Sequence, residues 1–316
     1  MGAILNEIWR RSPNAIDLLT TKLGKLELKT PLSVASGTFD LENLEFFDES
    51  CLGAFVCKTI TRYPKHGNPP PRLYETEAGL INSIGLQNPG LDNFIAEKLP
   101  LYRERLRLPL IVSISGSSIS EFEYILSRLE TCPGISGYEI NISCPNVENE
   151  GIAFGVCPDV VFDLLTKISP MTSRELCVKL SPNVTDIAQI AKAAESGGAS
   201  SLAMINSVWG MAINYRNGKS HIKKGVAGYT GIGIKPIALA LTYKAAQAVN
   251  IPILAMGGIY NWKDALEFIW AGASAIAIGT ANFVNPLAAP ELIMGLGEYL
   301  LENDLKITDL IGKVSF

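Results

Sequence analysis

Eight short apolar runs, each bounded by Gly, Pro, Ser or Asn, recur along the chain. They are Leu32–Ser36, Ala54–Thr59, Leu110–Ser115, Tyr138–Ser143, Leu176–Ser181, Leu202–Asn206, Ile253–Gly257 and Ala275–Thr280. Most are continuously apolar rather than alternating, which predicts parallel strands covered on both faces. Between many of them the apolar spacing turns helical, over Ser120–Thr131, Val160–Ile168, Asp186–Ser196, Pro236–Val249 and Asn261–Ala271. Ser118 and Ser120 before Glu121, and Thr185-Asp186 before the third of these, are expected N-caps. Strand–helix alternation repeated eight times predicts an α/β fold, a single (β/α)8 barrel of the TIM type spanning residues 1–316. A doubly wound open sheet needs a Gly-x-Gly-x-x-Gly turn after an early strand. The nearest candidate, Gly231-Ile-Gly233, comes late and lacks the third Gly. The segment Thr61–Pro109, with Pro69-Pro-Pro71, reads as a loop region inserted after the second strand, and so long a connection is usually functional.

Composition adds bounds. The 316 residues are 47% hydrophobic and 18% charged, enough for a soluble protein with a sizeable core. A net charge of −4 argues against a nucleic-acid partner. The six cysteines form no C-x-x-C pair, and with only two histidines no metal site is expected. The N-terminal residues lack the pattern of a secretory signal, and no apolar run reaches membrane-spanning length. These features predict a cytoplasmic protein with reduced thiols.

In barrels of this type the chemistry gathers at the C-terminal ends of the strands. Those ends carry Ser36-Gly37, Lys58-Thr59, Ser113–Gly116, Asn141–Asn146, Lys179, Asn206-Ser207, Gly257-Gly258 and Gly279-Thr280. Gly-rich turns after the seventh and eighth strands suit phosphate, held by backbone N–H groups and a helix start. Lys179 follows Cys177-Val178, so its stem is expected to start inside the barrel. The segment Asn141-Ile-Ser-Cys-Pro-Asn146 puts a thiol between two amides at the rim. Asn82-Ser-Ile-Gly-Leu-Gln-Asn-Pro-Gly90 reads as a ligand-covering loop. Lysines at strand ends, phosphate-type turns and a Cys that can take a proton form a set consistent with flavin chemistry.

At these residues the chain resembles the class 1 dihydroorotate dehydrogenases. The resemblance runs from Ala35-Ser-Gly37 to Gly279-Thr280, and is carried by Lys58-Thr59, Gly67-Asn-Pro-Pro-Pro-Arg72, Asn82–Gly90, Asn141–Val147, Val178-Lys-Leu180, Ile205-Asn-Ser207 and Ala255-Met-Gly-Gly-Ile259. It implies an FMN enzyme that oxidises (S)-dihydroorotate to orotate in pyrimidine synthesis. Cys144 would take a proton from one ring carbon while a hydride leaves its neighbour for the flavin. Asn82, Ser83, Asn141, Asn146, Asn206 and Ser207 would hold the substrate, with Lys58 supplying positive charge and Ile84, Gly85 and Leu86 lying along it. Ser36, Lys58, Thr59, Ser113, Asn141, Lys179, Ile205, Gly231, Gly257, Gly258, Gly279 and Thr280 would line the FMN, Lys179 at its pyrimidine end.

Ala153-Phe-Gly155, Gly210-Met-Ala-Ile213 and Ile234-Lys-Pro-Ile-Ala-Leu239 resemble the NAD-linked class 1B more than the fumarate-linked class 1A. That subclass implies a homodimer joined by an electron-transfer subunit carrying FAD and a 2Fe–2S cluster. The dihydropyrimidine dehydrogenases share the barrel and a Cys-Pro loop, but Asn146 after Pro145 favours the orotate class. Three departures stand out: Ser113 where the class usually has Asn, Gly228-Tyr-Thr-Gly231 for Gly-Leu-Ser-Gly, and acidic Glu148 and Glu150 after the Cys. A hydroxyl replaces only one of the amide's hydrogen bonds, and added negative charge is expected to raise the Cys144 pKa.

Overall fold

The computed structural model describes residues 15–143 and 154–316. The chain enters through a two-stranded antiparallel hairpin, β1 (Thr21–Leu23) and β2 (Leu26–Leu28). Eight parallel strands follow: β3 (Leu32–Val34), β4 (Phe55–Val56), β7 (Leu110–Ile114), β8 (Gly137–Asn141), β9 (Glu175–Lys179), β10 (Ser201–Met204), β13 (Ile253–Met256) and β14 (Ala275–Ile278). They lie in the order β3-β14-β13-β10-β9-β8-β7-β4. The two end strands are stitched by the Gly53 N–H donating to Leu32 O at 2.7 Å and Ser33 Oγ donating to Ala54 O at 3.0 Å. The sheet is thus a (β/α)8 barrel, and each of the eight apolar runs contributes one strand to it.

The helices between them start where the sequence supplies caps. Ser118 Oγ accepts from the Glu121 N–H ahead of the helix Ile119–Glu130, and Asp186 Oδ1 accepts from the Ala188 N–H ahead of Ile187–Ser196. Such side chains satisfy N–H groups that the first turn leaves unpaired. Burial splits each strand in two. Outward residues such as Tyr138, Ile140, Leu176 and Val178 pack under the helices in the main core. Inward positions are smaller or polar: Ala54, Val56, Ile111, Cys177, Ala203, Leu254, Ala275 and Ala277 form a second cluster, plugged from below by Leu23 and Leu28. Both plug residues are fully buried, and such burial stabilises by ~1.5–3 kcal/mol each.

The inserted segment is more ordered than a loop. It forms a hairpin, β5 (Leu73–Thr76) and β6 (Gly79–Asn82), and then a helical stretch ending at Arg105. The hairpin joins β12 (Ala227–Thr230) and β11 (Val208–Gly210), from the connection after β10, in a four-stranded antiparallel sheet ordered β11-β12-β6-β5. This sheet brings Asn82, distant in sequence, to the rim beside Ser207.

Candidate active site at the barrel mouth

Strand register decides which side chains share the mouth. Ser113 pairs with Glu139, and Asn141 with Lys179. Side chains on one face recur every second residue, so Glu139 lies one layer below Asn141 on the inward face of β8. Asn141 Oδ1 accepts from the Ser143 N–H at 3.2 Å and from Asn206 Nδ2 at 3.4 Å. Asn206 Oδ1 in turn accepts from the Ser207 N–H at 2.8 Å. Three expected substrate contacts, Asn141, Asn206 and Ser207, therefore form one linked row.

The added sheet brings the fourth. Asn82 stands opposite Gly228, and its Nδ2 donates to Gly228 O at 3.3 Å. A β-carbon at Gly228 would run into Ser207 Oγ, so only glycine lets β12 approach this closely. Asn183 braces the same corner: its Nδ2 donates to Ser207 O at 3.1 Å and its Oδ1 accepts from the Trp209 N–H at 3.0 Å.

Two lysines share the mouth, Lys179 ending the strand between those that lead to Asn141 and Asn206. Lys179, 5% exposed, donates to Ser36 Oγ at 3.1 Å and lies 3.5 Å from Glu139 Oε2. Lys58 lies against Gly37. Burial holds its pKa below the ordinary lysine value, and repulsion from Arg72 and Lys179 adds to the effect. A site that strains a cation in this way favours an arriving anion. Beside Lys58 opens a cavity of about 710 Å³, lined by Gly37, Asp40, Lys65, Gln87 and Asn88 among others.

The expected covering loop is braced from within. Ser83, buried, has its Oγ bonded to Asn68 Nδ2 at 2.8 Å, and Asn68 N–H donates to Ile84 O at 2.9 Å. Gly85 and Leu86 both have positive φ, 77° and 52°. A positive φ is uncommon for leucine, and Asn88, missed by the sequence reading, holds it: Asn88 Nδ2 donates to Leu86 O at 2.7 Å and to Thr61 Oγ1 at 2.9 Å. Asn88 Oδ1 accepts from the Gly90 N–H at 2.8 Å.

The glycine turns also take up distinct positions. Gly231 and Gly233 adjoin the β5–β6 turn, with the Gly233 N–H donating to Ala78 O at 2.8 Å. Gly257 and Gly258 close β13 beside Ile205, Ile234 and Lys235. At Gly258 φ is +82°, and a β-carbon there would sit 2.8 Å from Lys235 N. Gly279 and Thr280 follow β14 and lie near Ala35 and Thr38. Ile205 is buried. Ser113 and Thr59 are buried as well, their hydroxyls 2.8 Å apart, and Ser113 Oγ donates to Glu139 Oε1 at 2.7 Å.

Cys144 and Asn146, with Glu148 and Glu150, lie outside the described residues. Three of the described thiols make poor bases. Burial pushes Cys51 and Cys57 up to about 12 and raises Cys177 well above its ordinary value. Glu139 is the residue that sequence reading passed over; a charged side chain two positions before Asn141 in an otherwise apolar run was the available signal. Among the described residues no helix is long and apolar enough to cross a membrane.

A (β/α)8 barrel whose polar groups converge on the C-terminal rim is the architecture of a barrel enzyme with its active site at that face. Residues 18–300 match the dihydroorotate dehydrogenase family model. The chain belongs to the dihydroorotate dehydrogenase family, a family of flavoprotein oxidoreductases. Its relatives include the protein named dihydroorotate dehydrogenase B (NAD(+)), catalytic subunit, of Thermoanaerobacter pseudethanolicus, 48% identical over 94% of this chain and 98% of the relative. The proteins of the same name from Geobacillus kaustophilus and Fusobacterium nucleatum are both 44% identical, over 93% and 88% of this chain and 95% and 92% of theirs.

The mouth fits a flavin on its own terms. Glu139 Oε2 and Ser143 Oγ are buried polar atoms without a hydrogen-bond partner among the described residues. Buried polar atoms rarely stay unpaired. Gly257 and Gly258 supply a backbone turn at positive φ, 122° and 82°, and the Lys58–Lys179 pair offers charge to an anion.

Proposed function

We propose that this chain oxidises (S)-dihydroorotate to orotate in pyrimidine nucleotide synthesis, using FMN bound at the barrel mouth. The observation that carries the reading is the linked row Asn141–Asn206–Ser207 beside buried Lys179 and half-buried Lys58, on a chain of this family. When bound, FMN accepts the hydride that leaves the substrate ring. The chain's own residues do the rest. Asn82, Asn141, Asn206 and Ser207, with Asn146, offer the donors and acceptors that a planar pyrimidine requires. Lys58 faces the carboxylate, and its charge is stabilised when that anion arrives. Lys179 favours the electron-rich form of the flavin ring. Ile205, Ser36, Thr59, Ser113, Gly231, Gly257, Gly258, Gly279 and Thr280 frame the cofactor. Cys144 takes the proton from the carbon next to the one that loses hydride.

The NAD(+) in the relatives' names supports NAD as the final acceptor, and a separate subunit carrying FAD and a 2Fe–2S cluster, as the class 1B resemblance implies, would pass the electrons on. The words "catalytic subunit" in those names support a partner of that kind. A homodimer of this chain forms the centre of the assembly; the exposed apolar row Trp209, Met211, Ile213 and Tyr215 supports it.

The test is anaerobic mixing of the FMN-loaded protein with dihydroorotate, followed by addition of NAD with and without the partner subunit. Flavin bleaching is expected. Cys144→Ser is expected to retain yellow FMN and slow bleaching at neutral pH by at least about a hundredfold, the scale of a lost general base. Bleaching at the parent rate by Cys144→Ser rejects the proton-transfer role, and a folded protein that takes up no FMN rejects the flavin reading.

A further inference from the structure

Glu139 is an ionisable carboxyl inside the barrel, 1% exposed, and the reaction chemistry gives it no part. An isolated buried charge is costly, so such a group is kept only when paired and hydrogen-bonded. The structure shows both kinds of support. Ser113 has one hydroxyl proton, and it goes to Glu139 Oε1 at 2.7 Å. Thr59 Oγ1, 2.8 Å from Ser113 Oγ, must then be the donor of that contact. A relay of two buried hydroxyls therefore runs from β4's end across β7 to the carboxylate on β8. The second oxygen, Oε2, has no hydrogen bond among the described residues and faces Lys179 Nζ at 3.5 Å. Lys179 Nζ donates a hydrogen bond to Ser36 Oγ at 3.1 Å. An ammonium has three donors. One goes to Ser36 and one points toward Glu139, so one is left for the mouth.

We propose that Glu139, oriented by Thr59 and Ser113, is a positioning residue that fixes Lys179 and offsets its charge, and so sets the reduction potential of the flavin. The inference rests on the flavin reading given above. It also accounts for Ser113 on this chain: its hydroxyl serves Glu139, an acceptor-only partner, and one donor is all that a single carboxylate oxygen needs. With the carboxylate in place, the Lys179–Glu139 pair presents little net charge to the ring. Without it, a full positive charge faces the flavin in a poorly solvated site, where charges act strongly. That charge favours the electron-rich reduced flavin.

The test is a double-mutant cycle read as the midpoint potential of bound FMN, by equilibrium dye titration. Glu139→Gln keeps an acceptor for Ser113 but removes the charge. It is expected to raise the preference for reduced over oxidised flavin at least tenfold, about 30 mV for a two-electron couple. Lys179→Met is expected to lower the potential. In the Lys179→Met background Glu139→Gln is expected to bring the potential back toward the parent, because both members of the pair are then neutral. Glu139→Asp keeps the charge and is expected to stay close to the parent. An unchanged or lowered potential in Glu139→Gln overturns the proposal. So does a double variant whose potential stays as low as that of Lys179→Met, or a shift in Glu139→Asp equal to that in Glu139→Gln. If Glu139→Gln alone does not fold, the comparison of Lys179→Met with the double variant decides: a higher potential in the double variant supports the proposal, and equal potentials overturn it. FMN content and absorbance, measured first on the parent, separate the two readings. A parent without flavin defeats the assigned function, whereas a normal flavin with an indifferent Glu139 defeats only this inference.

Discussion

Lys58 shows how a single side chain is prepared for its ligand. Burial and the neighbouring Arg72 and Lys179 hold its pKa below the ordinary lysine value. The sign follows directly. The charged form is disfavoured in the empty site, so Lys58 gives up its proton at lower pH than a free lysine, and an anion bound over it raises its pKa again. Orotate affinity is therefore expected to fall as pH rises through the alkaline range, and Lys58→Met is expected to bind weakly with a flatter profile. Titration calorimetry across pH 7–10 or so checks this, and a parent profile as flat as that of Lys58→Met contradicts it. At this scale the sequence was informative where a residue's chemistry is unusual for its setting, as with Lys58 and Lys179 at strand ends. It was silent on Asn88 and Asn183, whose side chains brace loops. An amide that clamps a loop and an amide that holds a ligand look alike until their partners are known.

The turn after β13 carries the argument at the level of an element. Asp264, 5% exposed, takes the Tyr260 and Asn261 N–H groups on Oδ2 at 3.0 and 3.2 Å and Lys235 Nζ on Oδ1 at 2.7 Å. Asn261 returns the favour by capping the helix Trp262–Trp270. The turn Gly257–Asn261 is thereby locked to two helices, and Gly258 sits where φ is +82° against the Lys235 backbone. Gly258→Ala has to bear both strain and a clash. It is expected to cost about 1–3 kcal/mol of stability, the usual scale for such strain, and to weaken FMN at least tenfold. Thermal melts of the FMN-free protein and fluorescence titration of FMN check the two parts separately. The sequence marked the Gly-Gly pair and the helix behind it. That Gly231 turns against the β5–β6 hairpin was not legible, because its neighbour Gly79 lies far away in the chain.

For the whole molecule, the four-stranded sheet is the part that joins distant segments. Trp209 on β11, with Met211, Ile213 and Tyr215 in the chain just beyond it, is exposed in an alternating row. An exposed apolar row of this kind marks an interaction surface. Trp209→Asp with Met211→Lys is expected to turn a dimer into a monomer in sedimentation while FMN stays bound; an unchanged dimer places the subunit contact elsewhere. The sequence by itself determined the barrel, because each strand advertises its burial through a local apolar run and each helix through local caps and periodicity. It also determined the family, through motifs that sit in single loops. Only the tertiary structure decided that the insertion after the second strand is a hairpin sharing a sheet with β11 and β12, that Asn82 meets Ser207 across Gly228, and that Glu139 faces Lys179. Each of these depends on strand register and on contacts between residues far apart in the chain. Such contacts follow from how the barrel closes, and no short stretch of sequence encodes them.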